Sequence, residues 1–173
     1  MSERKYPVIT ISREFGAGGH SIARVVSERL GIPYYDRDFA KQAAAKSGYS
    51  QEDIDREGEN LSRSARLLDN ILNNSASYFS SHDAIYQAQK ELILQFAAEQ
   101  DCIIIGRCAD YVLDGTENLV RLFVYAEIEE RINKVREKGY FPEEDILKNI
   151  KRIDRERRDY YRYYPGKRWE NAA

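Results

Sequence analysis

Residues 6–30, YPVITISREFGAGGHSIARVVSERL, read as a strand, a glycine-rich turn and a helix in immediate succession. Val8, Ile9 and Ile11 form a short apolar run rich in β-branched side chains, which suits a buried strand. Gly16, Gly18 and Gly19 then crowd together, as in a tight turn that presents bare N–H groups and has no room for a Cβ. Ile22, Val25, Val26 and Leu30 recur at helical spacing, so a helix is expected to begin between Gly19 and Ser21 and to aim its positive end back at the turn. A strand, a glycine turn and a helix N-terminus together make an anion site, and the natural anion is phosphate.

The phosphate-loop pattern G-x-x-x-x-G-K-[ST] fits this stretch in two registers, and neither contains its lysine. If Gly18 is the last glycine, Arg13 stands at the first glycine, Gly19 at the lysine, and Ser21 trails by one residue. If Gly19 is the last glycine, His20 stands at the lysine and Ser21 falls on the hydroxyl position. The plain alternative is an ordinary strand-to-helix turn whose glycines serve chain geometry alone.

The length of 173 residues suits a single domain with a real core. Apolar content of 42% and charged content of 32% are globular values, and a net charge of −2 argues against a general nucleic-acid or membrane-surface binder. No apolar run approaches the roughly 20 residues needed to span a bilayer, and no apolar signal core follows Met1, so a cytoplasmic protein is expected. Cys102 and Cys108 are too few and too poorly spaced for zinc, and Cys102 reads as a small hydrophobe at the head of a strand.

Gly31 and Pro33 close the first helix, and Tyr34-Tyr35 makes a very short second strand. Asp36 and Arg37 follow at its carboxyl end, where open parallel sheets bind ligands; Asp36 also suits a cap for a helix starting near Phe39. Residues 39–100 read as a helical insert, with short helices at Phe39–Lys46 and after Ser50, then longer ones at Asn60–Phe79 and Ser81–Gln100. Arg63 and Arg66 in that insert read as a solvated face. Cys102–Ile105 is the clearest buried strand, and Gly106-Arg107-Cys108-Ala109-Asp110 leaves its carboxyl end. Glycine clears space there, and Arg107 offers a fork of donors suited to phosphate or carboxylate; a structural Arg–Asp pair is the alternative. Leu119–Tyr125 is a further strand, with a helix starting near Ala126. This order indicates a three-layer α/β fold with a parallel sheet, whose strand ends at Ser12, Asp36 and Gly106 face one crevice.

Gly139 and Pro142 break the chain, and Pro142-Glu143-Glu144 opens a helix running to about Tyr164. Lys148, Arg152, Arg155, Asp159 and Arg162 share one stripe, while Ile146, Ile150, Ile153, Tyr160, Tyr161 and Tyr164 cluster opposite. Arg157 falls among the apolar and tyrosine positions, where a charge is costly unless an anion or carboxylate meets it or its head snorkels to water. Beside a phosphate loop, such a helix suits closure over polyphosphate and cancellation of charge during transfer.

Three blocks, ITISREFGAGGHSIARVVSERLGIPYYDRDF, CIIIGRCADYVL and DRERRDYYRYYPGKRW, resemble the cytidylate kinase-like family of P-loop nucleoside monophosphate kinases. The resemblance runs from Val8 to Trp169. It implies a P-loop kinase fold of sheet order 2-3-1-4-5, with a helical monophosphate-binding insert and an arginine-rich lid over residues 139–168. It also implies phosphoryl transfer from ATP, with Mg2+, to CMP or dCMP by a monomeric enzyme. Carried over by position, Arg13, Gly16, Ala17, Gly18, Gly19, His20 and Ser21 form the ATP phosphate loop. Asp36, Arg37, Arg107 and Asp110 lie on the acceptor side, and Arg13, Arg107, Arg155, Arg157 and Arg162 supply catalytic charge. Ser21, and Asp36 through water, stand near the metal. Cytidylate kinases keep the loop lysine, so here Arg13, His20 or a lid arginine must replace its charge. The chain also ends where the family continues with another strand, so the last strand of the sheet is expected to be absent and one edge uncovered. Two other readings remain open: a silent nucleotide-binding or regulatory module, and a kinase for another small acceptor.

Overall fold

Alternation along the first strand decides the layering. The computed structural model describes residues 6–36 and 76–171. In it, β1 (Val8–Arg13), β2 (Tyr34–Tyr35), β3 (Ile103–Ile105) and β4 (Leu119–Val124) form one parallel sheet in the order β2-β3-β1-β4. Val8 and Ile104 face one side, where they meet Ile93 and Ala97 of α2 (Ala76–Glu99) and Ala109 of the short α3 (Ala109–Val112). Ile9, Ile11, Ile103 and Ile105 face the other and pack on Ala23 of α1 (Gly19–Leu30). A period of two thus splits one apolar run between two cores, with the sheet as the middle layer.

Parallel pairing places every strand's carboxyl end on the same edge. The register sets Ile11 beside Ile105 and Ser12 beside Phe123, so the turns after β1 and β3 leave the sheet as neighbours. A third core joins α4 (Ile128–Lys138) to α5 (Ile146–Tyr163) through Val135, Ile146 and Ile150, with Phe15 of the glycine turn packed against it. The fourth gathers Cys108, Tyr161 and Trp169.

One detail adds to the sequence reading and one differs from it. The inward face of α1 carries Gly19 and Ala23, with Val26 and Leu30 half-buried, whereas Ile22 and Val25 are 39% and 38% exposed. The helix sits so close to the sheet that small residues win the contact face. Helix α2 runs unbroken through Ser80-Ser81, because no proline or glycine interrupts it and serine is tolerated within a helix. The helices expected at Phe39–Lys46 and after Ser50, most of Asn60–Phe79, and Arg37, Arg63 and Arg66 lie outside the described residues. Among the described residues no helix is long and apolar enough to cross a membrane.

Candidate active site

The turn after β1 is held from behind. Gly16 has φ +80°, and a Cβ there would sit 3.0 Å from the Arg131 carbonyl and 3.1 Å from Val135 Cγ2, so the turn lies directly on α4. Gly18 has φ +92° and forms the N-cap of α1, where no side chain caps the helix and the first turn holds no acidic residue. The first helical N–H groups therefore keep their capacity for an external anion. Ala17 is buried in the turn, while His20 and Ser21 are exposed on the first turn of α1.

Arg13 crosses this turn. Its Cβ and Cγ lie over Gly19, 2.8 and 2.9 Å from where a Cβ would stand, and its guanidinium rests against Gly106, where an added Cβ would push it aside. Gly106 (φ +74°), Arg107 (φ 57°) and Cys108 (φ 54°) form three successive left-handed residues. For the two that are not glycine this conformation costs on the order of 1–3 kcal/mol each, and it turns the chain sharply at the end of β3.

A crevice of about 40 Å3 opens at this edge, lined by Ser12, Arg13, Gly106, Arg107, Arg157 and Tyr160, with Cys108, Tyr161 and Trp169 completing the wall. At ~10–15 Å3 per water-sized position this accommodates roughly one phosphoryl-sized group. Arg157 Nη1 donates to the Arg13 carbonyl at 3.0 Å, and its guanidinium lies 5.6 Å from the centre of the Phe15 ring. Arg107 hydrogen-bonds the Tyr160 hydroxyl, which in turn donates to Gln89 Oε1 at 3.2 Å. Burial pushes the Tyr160 hydroxyl well above the usual phenol range, against the lowering effect of Arg107.

Of the expected site residues, the fold gathers Arg13, Arg107 and Arg157. Asp110 is buried behind the crevice and accepts a 2.5 Å bond from the Tyr161 hydroxyl. Desolvation raises its carboxyl above the ordinary carboxylate range, and burial, with Asp110 second, raises the Tyr161 hydroxyl. Burial also lifts the Cys108 thiol well above its usual value. Asp36 stands apart from the crevice lining and pairs with His20, Oδ2 to Nδ1 3.2 Å, while the His20 ring meets Tyr34 edge-on. Arg155 and Arg162 lie on the exposed face of α5 and do not line the crevice. Arg37 is outside the described residues.

Arg131, Asp154 and Lys134, none of them singled out by the sequence, surround the turn. Arg131 of α4, 6% exposed, donates to the Phe15 carbonyl at 2.8 Å, to Glu14 Oε2 at 3.0 Å and to Asp154 Oδ2. Asp154 of α5, 5% exposed, also accepts the Phe15 N–H at 2.7 Å. The pair ties the turn to both C-terminal helices. Its sequence signal was Asp154 itself, which falls on the face of Ile150, Ile153, Arg157 and Tyr161. Lys134 brings its Nζ within 3.5 Å of where a Gly18 Cβ would stand, adding a cation at the turn's outer side.

The family model described as the cytidylate kinase-like family matches residues 8–173. A cytidylate kinase of Archaeoglobus fulgidus is 24% identical over 159 residues, covering 90% of this chain and 76% of that protein. A solved structure of a protein from Eubacterium ventriosum superposes with TM-score 0.69 at 23% identity, over 95% of this chain and 81% of that one. A shikimate kinase from Bacteroides thetaiotaomicron has TM-score 0.52 at 13% identity, over 91% and 82%. These two structures speak to the fold alone.

Proposed function

The chain belongs to the cytidylate kinase-like family, and from that premise we propose that it is a nucleotide kinase that transfers the γ-phosphate of ATP to a pyrimidine nucleoside monophosphate, with CMP or dCMP as acceptor. The observation that carries this reading is the meeting of Arg13, Arg107 and Arg157, from three distant parts of the chain, in one small crevice, with Arg13 also crossing Gly19 at the uncapped N-terminus of α1. The attacking group is already an acceptor phosphate oxygen, so the reaction asks for placement and charge neutralisation rather than a strong base.

In this reading the amides from Gly16 to Ser21 hold the ATP phosphates and Lys134 reinforces the field there. Arg107, locked by its turn and by Tyr160, grips the acceptor phosphate. Arg157 bridges the two from α5. Asp110 orients the acceptor side through Tyr161. Arg155 and Arg162, on the exposed face of α5, serve only if that helix changes its presentation on nucleotide binding. Among the described residues no three His, Cys, Asp or Glu side chains cluster to hold a metal. The oxygen donors Ser21 and Asp36 suit Mg2+, which is commonly held by one or two protein oxygens together with substrate phosphates. When bound, the ion neutralises charge on the β- and γ-phosphates.

A coupled ADP-release assay over a panel of monophosphates tests the reading, with turnover expected on CMP or dCMP. Arg107→Ala should lower kcat/KM for the acceptor by about 10-fold or more while sparing ATP affinity. Unchanged acceptor kinetics would refute the placement of Arg107. The lysine missing at Gly19 favours a second reading, a nucleotide-binding module without turnover, for which the panel would stay flat while ATP binds.

A further inference from the structure

We propose that Arg13 and Gly19 have exchanged the roles that a phosphate loop gives to its first glycine and its lysine, so that the cation for the polyphosphate comes from the end of β1 rather than the start of α1. The proposal rests on the kinase reading and deepens it. The fold selects one of the two registers. Gly18 is the N-cap and α1 begins at Gly19, which puts Arg13 at the first glycine and Gly19 at the lysine.

Geometry links the two positions. In the standard pattern a bare residue at the first place leaves the mouth of the turn open to a lysine rising from the seventh. Here Arg13 Cβ and Cγ cover Gly19 so closely that even a methyl group would be displaced. Only one long side chain fits between these backbones, and it has moved to the other one. Gly106 completes the channel, because a Cβ there would strike the Arg13 guanidinium. Two glycines from separate elements, 87 positions apart in sequence (106 − 19), thus make room for one arginine. The guanidinium emerges beside Arg107 and Arg157, in the crevice. An arginine there also differs in kind from a lysine, since its planar fork spans two phosphate oxygens instead of acting as a point charge.

The test is a cycle of variants of the full chain, read by calorimetric affinity for Mg–ATP and for inorganic triphosphate. Arg13→Gly should weaken both ligands about 10- to 100-fold. Gly19→Lys alone should also weaken them, because two long side chains then compete for one space. The combined variant, R13G with G19K, should return to within about 5-fold of the wild type. A folded double variant that shows the product of the two single losses overturns the exchange, and so does wild-type affinity in Arg13→Gly. Should the double variant not fold, Gly19→Ala decides. Its added methyl should weaken triphosphate binding when Arg13 is present and have no effect in the R13G chain; equal losses in both backgrounds overturn the proposal. A cycle that closes as expected while no monophosphate is phosphorylated supports the exchange and removes the kinase reading instead.

Discussion

Asp154→Ala would cut the ion network that joins the glycine turn to the two C-terminal helices. The carboxylate accepts from both the Arg131 guanidinium and the Phe15 N–H, and both charged side chains are more than nine-tenths buried. The loss leaves Arg131 with Glu14 and the Phe15 carbonyl as its remaining polar partners, with Glu14 24% exposed. Removing one partner of a buried ion pair costs about 3–5 kcal/mol, because the remaining charge stays desolvated. At ~2–4 °C per kcal/mol for a chain of this size, the melting temperature should fall by roughly 6–20 °C. Asp154→Asn, which keeps an oxygen for the Phe15 N–H, should lose less. Combining it with Arg131→Met removes the stranded charge, so the double variant should be more stable than the sum of the singles predicts. Urea unfolding followed by circular dichroism measures all three. A loss below about 1 kcal/mol for Asp154→Ala, or strictly additive singles, would refute the view that this pair braces the turn.

Other outcomes follow from the same geometry. Burial raises the Asp110 carboxyl, so the folded state holds its proton more tightly than the unfolded state does. That stabilisation is complete below the unfolded pKa and is lost as pH rises through the raised one. Asp110→Asn keeps an oxygen for the Tyr161 hydroxyl, so its melting temperature should match the wild type near pH ~3 and exceed it near pH ~7; a flat or reversed difference refutes the assignment. Lys134→Ala should weaken Mg–ATP binding about 2- to 5-fold, less at high salt, as expected for an exposed cation near the turn. Lys138→Ala, one turn further along α4, is the control, and equal effects from both would show only a general field.

The α/β architecture was legible because it rests on local periodicity. The apolar run at Val8–Ile11, the run at Cys102–Ile105 and the intervening helical segments leave a parallel, layered sheet as the natural solution. Arg107 could be singled out by its place after a buried strand, and Arg157 by its misfit on an apolar face. The same periodicity placed α1 where it begins but left its contact face open: Ile22 and Val25 are exposed, and Gly19 and Ala23 meet the sheet. Hydrophobicity does not report how closely two backbones approach.

What the chain determined by itself was the order of its elements and the sheet edge at which the turns after β1 and β3 lie together, because strand direction and glycine placement are properties of neighbouring residues. Only the tertiary structure decided which charges meet. Glu14 finds Arg131 across 117 positions and Phe15 finds Asp154 across 139. Gly106, which reads as a spacer for Arg107, turns out to make room for Arg13. Such partnerships depend on where distant backbones are brought together, and no local pattern carries that distance.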